Sequence, residues 1–147
     1  MFLLVISALL ATGWAVINRQ YVRDWYVVHT TDPQPAAAKL MPQLSLTGTA
    51  DFLYKASQTN VLGSSQFNSA CSSVSREHSI VLGCYTNQRI YVYDVTDPRL
   101  SGVQEVTAAH ELLHAAYDRM SLAEKNRINK ELEQAVSAIS DPRLTET

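Results

Sequence analysis

Apolar residues are unevenly spread along this chain. Positions 2–17, FLLVISALLATGWAVI, carry no charge, and the run is closed by Asn18, Arg19 and Gln20. The later stretch TTDPQPAAAKLMPQ is rich in Pro and Ala with little periodicity and reads as a linker. In TADFLYKASQTNVLGSSQFNSAC, Phe52, Leu53 and Tyr54 fit the start of either a strand or a helix, while SSQFNSAC has the Ser cap and small residues of a short helix. HSIVLGCYTNQRIYVYDVTD is more definite. Two β-branched and aromatic runs, 80–85 and 89–95, flank the polar TNQ, and in the second Ile90, Val92 and Asp94 alternate with Tyr91, Tyr93 and Val95. This pattern predicts a hairpin.

Helical patterning follows. Asp97 is placed to cap, and Pro98 to take the first position of, a main helix running to about Arg119. Ser121 and Glu124 form a capping-box pair, and Ile128, Leu132, Ala135, Val136 and Ile139 recur at helical spacing, so a second helix is expected from Leu122 to about Ile139. The expected class is α+β. An N-terminal transmembrane helix precedes a small domain with a β-hairpin or small sheet, and the main helix packs on the second one. Residues 1–28 are expected to be the anchor and juxtamembrane segment, 29–48 the linker, and 49–147 the domain.

The apolar run is a little shorter than the roughly 20 residues that cross a bilayer, but Trp14, Tyr21, Trp25, Tyr26 and the arginines supply interfacial flanks. A cleaved signal peptide is the alternative, since GWA is a small-x-small site, although no basic n-region precedes the run. Arg19 and Arg23 follow the run with no basic residue before it, which by the positive-inside rule favours a cytoplasmic domain. The only two cysteines, Cys71 and Cys84, suggest a disulfide and therefore an oxidising compartment. Large domains cross largely regardless of flanking charge, so the expectation follows the cysteines: a membrane-anchored domain outside the cytoplasm.

Composition fits a folded domain, with 46% apolar and 18% charged residues. The 12 basic and 14 acidic residues nearly cancel and form no long run of one sign, so no nucleic-acid partner is expected.

The candidate chemistry lies in VTAAHELLHAAYDRM. At about 100° per residue, His110 and His114 fall one turn apart on one helix face. Val103 and Tyr117 share that face, Thr107, Glu111 and Asp118 lie at its edge, and Ala109, Leu112, Leu113, Ala116 and Met120 are expected to form an apolar back. Two neutral imidazoles so placed can hold Zn²⁺, and Glu111 can polarise and deprotonate a water at the open position. A core helix that happens to carry two histidines is the competing reading. His29 and His78 have no ligand companion at suitable spacing and fit surface or polar-network roles better.

His110-Glu111-Leu112-Leu113-His114 resembles the HExxH motif of zincin metallopeptidases, and AHELLHAAYD is similar to the thermolysin-like gluzincin stretch. The resemblance implies His110 and His114 as zinc ligands and Glu111 as general base and acid. It also implies peptide or protein substrates and a sheet whose edge strand aligns the substrate, a task expected of RIYVYDV. Metzincins continue with Gly and a third His where this chain has Tyr117 and Met120. Gluzincins take a third ligand from a glutamate on the next helix, usually within N-E-x-x-[SA], and no Asn-Glu pair follows His114. Glu131 is the in-chain candidate. The ending SDPRLTET opens with a new cap and proline, so a third ligand beyond Thr147 is the preferred expectation. Tyr117 is expected to line the pocket or donate to an oxyanion, and Asp118 to orient an imidazole. Two functions remain: a membrane-anchored zinc metallopeptidase, and a non-catalytic zincin-like envelope protein that binds a partner and has an incomplete metal site.

Overall fold

The computed structural model describes residues 1–73 and 81–138. Among these the protein is α+β and mostly helical, with seven α-helices and one three-stranded sheet. The chain divides into two compact units, Met1–Ala116 and Tyr117–Thr147.

The first unit begins with α1 (Phe2–Ile17) and α2 (Arg19–Thr30), which meet at 86°. Among the described residues no single helix is long and apolar enough to cross a membrane; the bent pair passes that test together. Asn18 forms the corner: its backbone N–H and its side-chain amide both donate to the Trp14 carbonyl, at 2.9 and 2.8 Å. Beyond the corner, α2 packs on α4 (Gly48–Ala56), where Tyr21 stacks on Phe52.

The segment expected as a linker contains a helix instead, α3 (Pro35–Leu44). Ala37 and Leu40 are buried, and Met41 and Leu44 pack against the same core. Those four positions follow the i, i+3, i+4, i+7 spacing of a buried helix face. Pro35 sits in the first helical turn, where a missing N–H costs nothing, and Ser45 ends the helix in the left-handed region (φ 47°).

The sheet has the order β1-β3-β2, made of β1 (Asn60–Leu62), β2 (Gly83–Thr86) and β3 (Arg89–Tyr93). β1 runs parallel to β3, with Val61 opposite Val92; β2 is antiparallel to it, with Tyr85 opposite Ile90. The hairpin is therefore as expected, although positions 74–80 lie outside the described residues. Its turn residues Asn87 and Gln88 both have positive φ, 50° and 62°, the backbone of a two-residue type I′ turn. Gln88 Nε2 donates to Gln20 Oε1 on α2 at 2.9 Å, tying the hairpin tip to that helix.

Both faces of β3 are covered. Ile90 and Val92 join Ala37, Leu40, Tyr54, Val61, Ala108, Leu112 and Ala115 in the main core, built from α3, α4, the sheet and α6 (Val103–Arg119). Tyr91 and Tyr93 pack on the other face against Phe67 of α5 (Ser64–Ala70) and the buried Cys71–Cys84 disulfide, whose Cα atoms are 6.0 Å apart. The outer edge of β1 is occupied by Gln34, whose side chain receives the Val61 N–H at 2.9 Å and donates to the Val61 carbonyl at 3.0 Å.

The main helix starts later than expected. Asp97 caps a 3₁₀ turn, Pro98–Leu100, and Arg99 grips its carboxylate; Gly102 (φ 89°) then breaks the path before α6. In the second unit, α7 (Leu122–Ala138) opens on the expected capping box, with Ser121 N–H and Oγ donating to Glu124 at 2.8 and 2.6 Å. The Ser121 hydroxyl and N–H hold the Glu124 carboxyl below its ordinary pKa. Ile139 and the SDPRLTET ending lie outside the described residues.

Two stability predictions follow from this core. Tyr54 is nearly inaccessible and donates to the Ala37 carbonyl at 3.0 Å. Burial pushes its phenol from 10.0 up to about 12, opposed in part by a Thr59 side-chain hydrogen bond. A neutral phenol with a raised folded pKa contributes stability that is fully present below the unfolded value and is lost as pH rises through the folded one. Unfolding free energy should thus fall by about 2–3 kcal/mol between pH 10 and 12, at 1.36 kcal/mol per pKa unit, and Tyr54→Phe should flatten that decline in denaturant titrations. The disulfide closes 13 positions, so the Cys71→Ala/Cys84→Ala chain should lose roughly 3 kcal/mol on the chain-entropy account, read as a lower urea midpoint; an unchanged midpoint would contradict it.

Candidate active site

Helix α6 carries all three residues of the HExxH stretch. Its buried face is formed by Ala108, Glu111, Leu112 and Ala115. The apolar back expected from the helical wheel is therefore rotated: Leu112 is buried, but Leu113 is 70% exposed and Val106 71%, both on the side away from the sheet. The wheel shows angular position but not which arc the sheet covers, and here β2 and β3 cover the side containing Glu111.

His110 and His114 are both exposed, and their Nε2 atoms lie 3.2 Å apart with the rings edge-to-face at 75°. One ring can donate to the other at that distance. It also suits a shared ion, because two nitrogens at 2.0–2.1 Å from a tetrahedral Zn²⁺ are about 3.3 Å apart. The helix thus presents two ligands at usable spacing.

Glu111 differs from its neighbours in being buried. Its carboxyl accepts the Tyr85 backbone N–H of β2, and burial raises its pKa above the ordinary carboxylate value; His114, His110 and the Tyr85 N–H oppose the rise. Alternate residues of a strand direct their backbone polar groups to opposite sides. Tyr93 N–H donates to the Leu82 carbonyl, so Leu82 and Cys84 face β3, and Gly83 and Tyr85 turn toward α6.

Gly83 makes this approach possible. A Cβ there would lie 2.8 Å from both Cγ and Oε1 of Glu111, and closer still to Thr107 Cγ2. Neither Gly83 nor the Tyr85 N–H is among the residues expected from sequence. A glycine inside a strand pattern, as in VLGCYT, was the available signal, since it marks close backbone approach.

The strand bordering the site is also not the expected one. RIYVYDV was expected to be the edge that receives a substrate strand, but β3 is the central strand, paired on both sides. β2 is the outer strand next to Glu111.

Tyr117 and Glu131 belong to the second unit. Tyr117 donates to Asn129 Oδ1 of α7 at 3.0 Å and lies beneath Lys125, which also donates to the Asp118 carbonyl. The expected oxyanion role of the phenol gains no support from that bond. Glu131 is exposed on α7, 3.9 Å from Arg127. Among the described residues, no three His, Cys, Asp or Glu side chains are grouped so that they could hold a metal ion.

No protein-family model, curated protein or solved structure matches the chain.

The close approach of Gly83 generates a test. In an open strand, replacing Gly by Ala is neutral or mildly favourable. Here Gly83→Ala should destabilise by about 1–3 kcal/mol, as overpacking does, measured by denaturant unfolding. A stabilised Gly83→Ala protein would mean that β2 does not rest on Glu111.

Proposed function

We propose that the protein is a membrane-anchored zinc metallopeptidase acting on peptide or protein substrates outside the cytoplasm. The observation that carries this reading is the exposed His110–His114 pair, 3.2 Å between Nε2 atoms, with the Glu111 carboxylate beside it. His110 and His114 would hold the ion, which when bound supplies a Lewis acid that acidifies water and stabilises the developing oxyanion. Glu111 takes the proton from the attacking water and passes it to the leaving amine. Its position suits both steps: the Tyr85 N–H fixes its orientation, and burial makes it a stronger base than an exposed carboxylate. The buried Cys71–Cys84 disulfide supports an oxidising compartment. Anchoring rests on α1, which is uncharged and has no buried residue.

A second reading is favoured by the metal-ligand set, which among the described residues stops at two histidines. On this reading the protein is a zincin-like envelope protein that binds a partner without catalysis.

Metal analysis and peptide hydrolysis on the full chain separate the two. The first reading expects stoichiometric zinc, lost in His110→Ala and His114→Ala. It also expects Glu111→Gln to keep its zinc while hydrolysis falls by about 10²–10⁴-fold, the usual contribution of a general base. Hydrolysis unchanged in Glu111→Gln overturns the mechanism, and a zinc-free, inactive parent protein favours the second reading.

A further inference from the structure

Helix α2 exposes an aromatic and apolar arc of the kind a surface helix ordinarily buries. The face it turns toward the body is mixed: Asp24 is 3% exposed and receives Gln20 Nε2 at 3.0 Å, Gln20 in turn pairs with Gln88 of the hairpin, and Val27 and Val28 are half-buried on either side of Asp24. The opposite arc is aromatic and apolar. Trp25 is 49% and Tyr26 62% exposed, Val22 lies between them around the helix, and His29 stacks on Trp25 with centroids 4.3 Å apart. Arg19 and Arg23 are exposed along one rim of this arc.

Water is a poor partner for such a face, and the lipid headgroup region is a good one. Trp and Tyr place an apolar ring and a polar tip across that boundary, and Arg side chains reach phosphates from its edge. The large apolar side chains of α1 are exposed as well, and Trp14 of α1 meets Tyr21 of α2 edge-on at the corner. The 86° corner completes the geometry: with α1 directed into the bilayer, α2 must run almost parallel to the membrane plane.

We infer that α2 is an interfacial helix that lies in the headgroup layer of the bilayer through Val22, Trp25, Tyr26 and His29, and is not a continuation of the span. Tyr21 links the two arms, edge-on to Trp14 of α1 and stacked on Phe52 of α4. Because α2 is fastened to the body through Gln20, Asp24 and Tyr21, the folded unit is held flush against the membrane and not on a flexible tether. This deepens the proposed anchoring and rests on it.

The two tryptophans, Trp14 and Trp25, report separately on the two arms. The full chain would be reconstituted into phosphatidylcholine–phosphatidylglycerol vesicles containing lipids brominated at different acyl depths. Trp14→Phe leaves Trp25 as the only reporter, and Trp25→Phe leaves Trp14. The inference expects Trp25 to be quenched at least about twofold more by shallow than by mid-chain bromines, as befits an interfacial aromatic, with Trp14 also quenched. If Trp14 is quenched and Trp25 is not, α2 is off the membrane and the inference falls while anchoring stands. That holds whether Trp25 emission is red-shifted, as in water, or blue-shifted, as beneath a second copy of the chain. Trp25 quenched most strongly by mid-chain bromines makes α2 part of the span and overturns the inference. If neither tryptophan is quenched, the anchoring reading itself fails.

Discussion

A carboxylate on a helix face covered by a sheet is stable only if the covering backbone leaves room for it and satisfies it, and the first unit is arranged around that requirement at Glu111. Gly83 supplies the room, and the Tyr85 N–H supplies the hydrogen bond. Both belong to β2, so the position of this short strand decides the state of the carboxylate. β2 is held from two directions, by its ladder to the doubly covered β3 and by the disulfide from Cys84 to the end of α5. The bridge, the hairpin and the charged group thus form one mechanical unit, although only Glu111 and its flanking histidines carry candidate chemistry.

The two outer strands are treated differently. An open sheet edge invites pairing with other chains. β1 avoids it because Gln34 mimics a neighbouring strand at Val61, donating and accepting at once. β2 avoids it by resting on α6. Neither edge is a free template, and the strand with the strongest β-pattern in the sequence, β3, has no edge at all.

Much of this was legible because some signals are local. The Asn87–Gln88 turn between β-rich runs, the Ser121–Glu124 box, the cysteine pair and the four-residue step from His110 to His114 each depend on a few neighbouring residues, and all appear as expected. The failures share a different cause. Ala37, Leu40, Met41 and Leu44 carry helical periodicity, but the prolines around them suggested a linker, and only tertiary burial shows that the periodicity governs. Strand order depends on β1, three residues long and too short to declare itself in a pattern. The orientation of α6 depends on which arc the sheet meets, and the exposed Leu113 shows that apolar character alone does not decide it. The role of Gly83 depends on a helix more than twenty positions away.

The turn at Asn87–Gln88 has a cost and a use. A non-glycine residue in the left-handed region costs about 1 kcal/mol, and Gln88 sits there at φ 62° where glycine would relax the hairpin. Its side chain is the one that reaches Gln20. A more comfortable turn would fold better and grip α2 less well, so stability and attachment compete at this single position. Selection for thermal robustness alone would drift toward Asn-Gly here and produce a sturdier domain standing on a looser foot, held by the Tyr21–Phe52 stack without the hairpin.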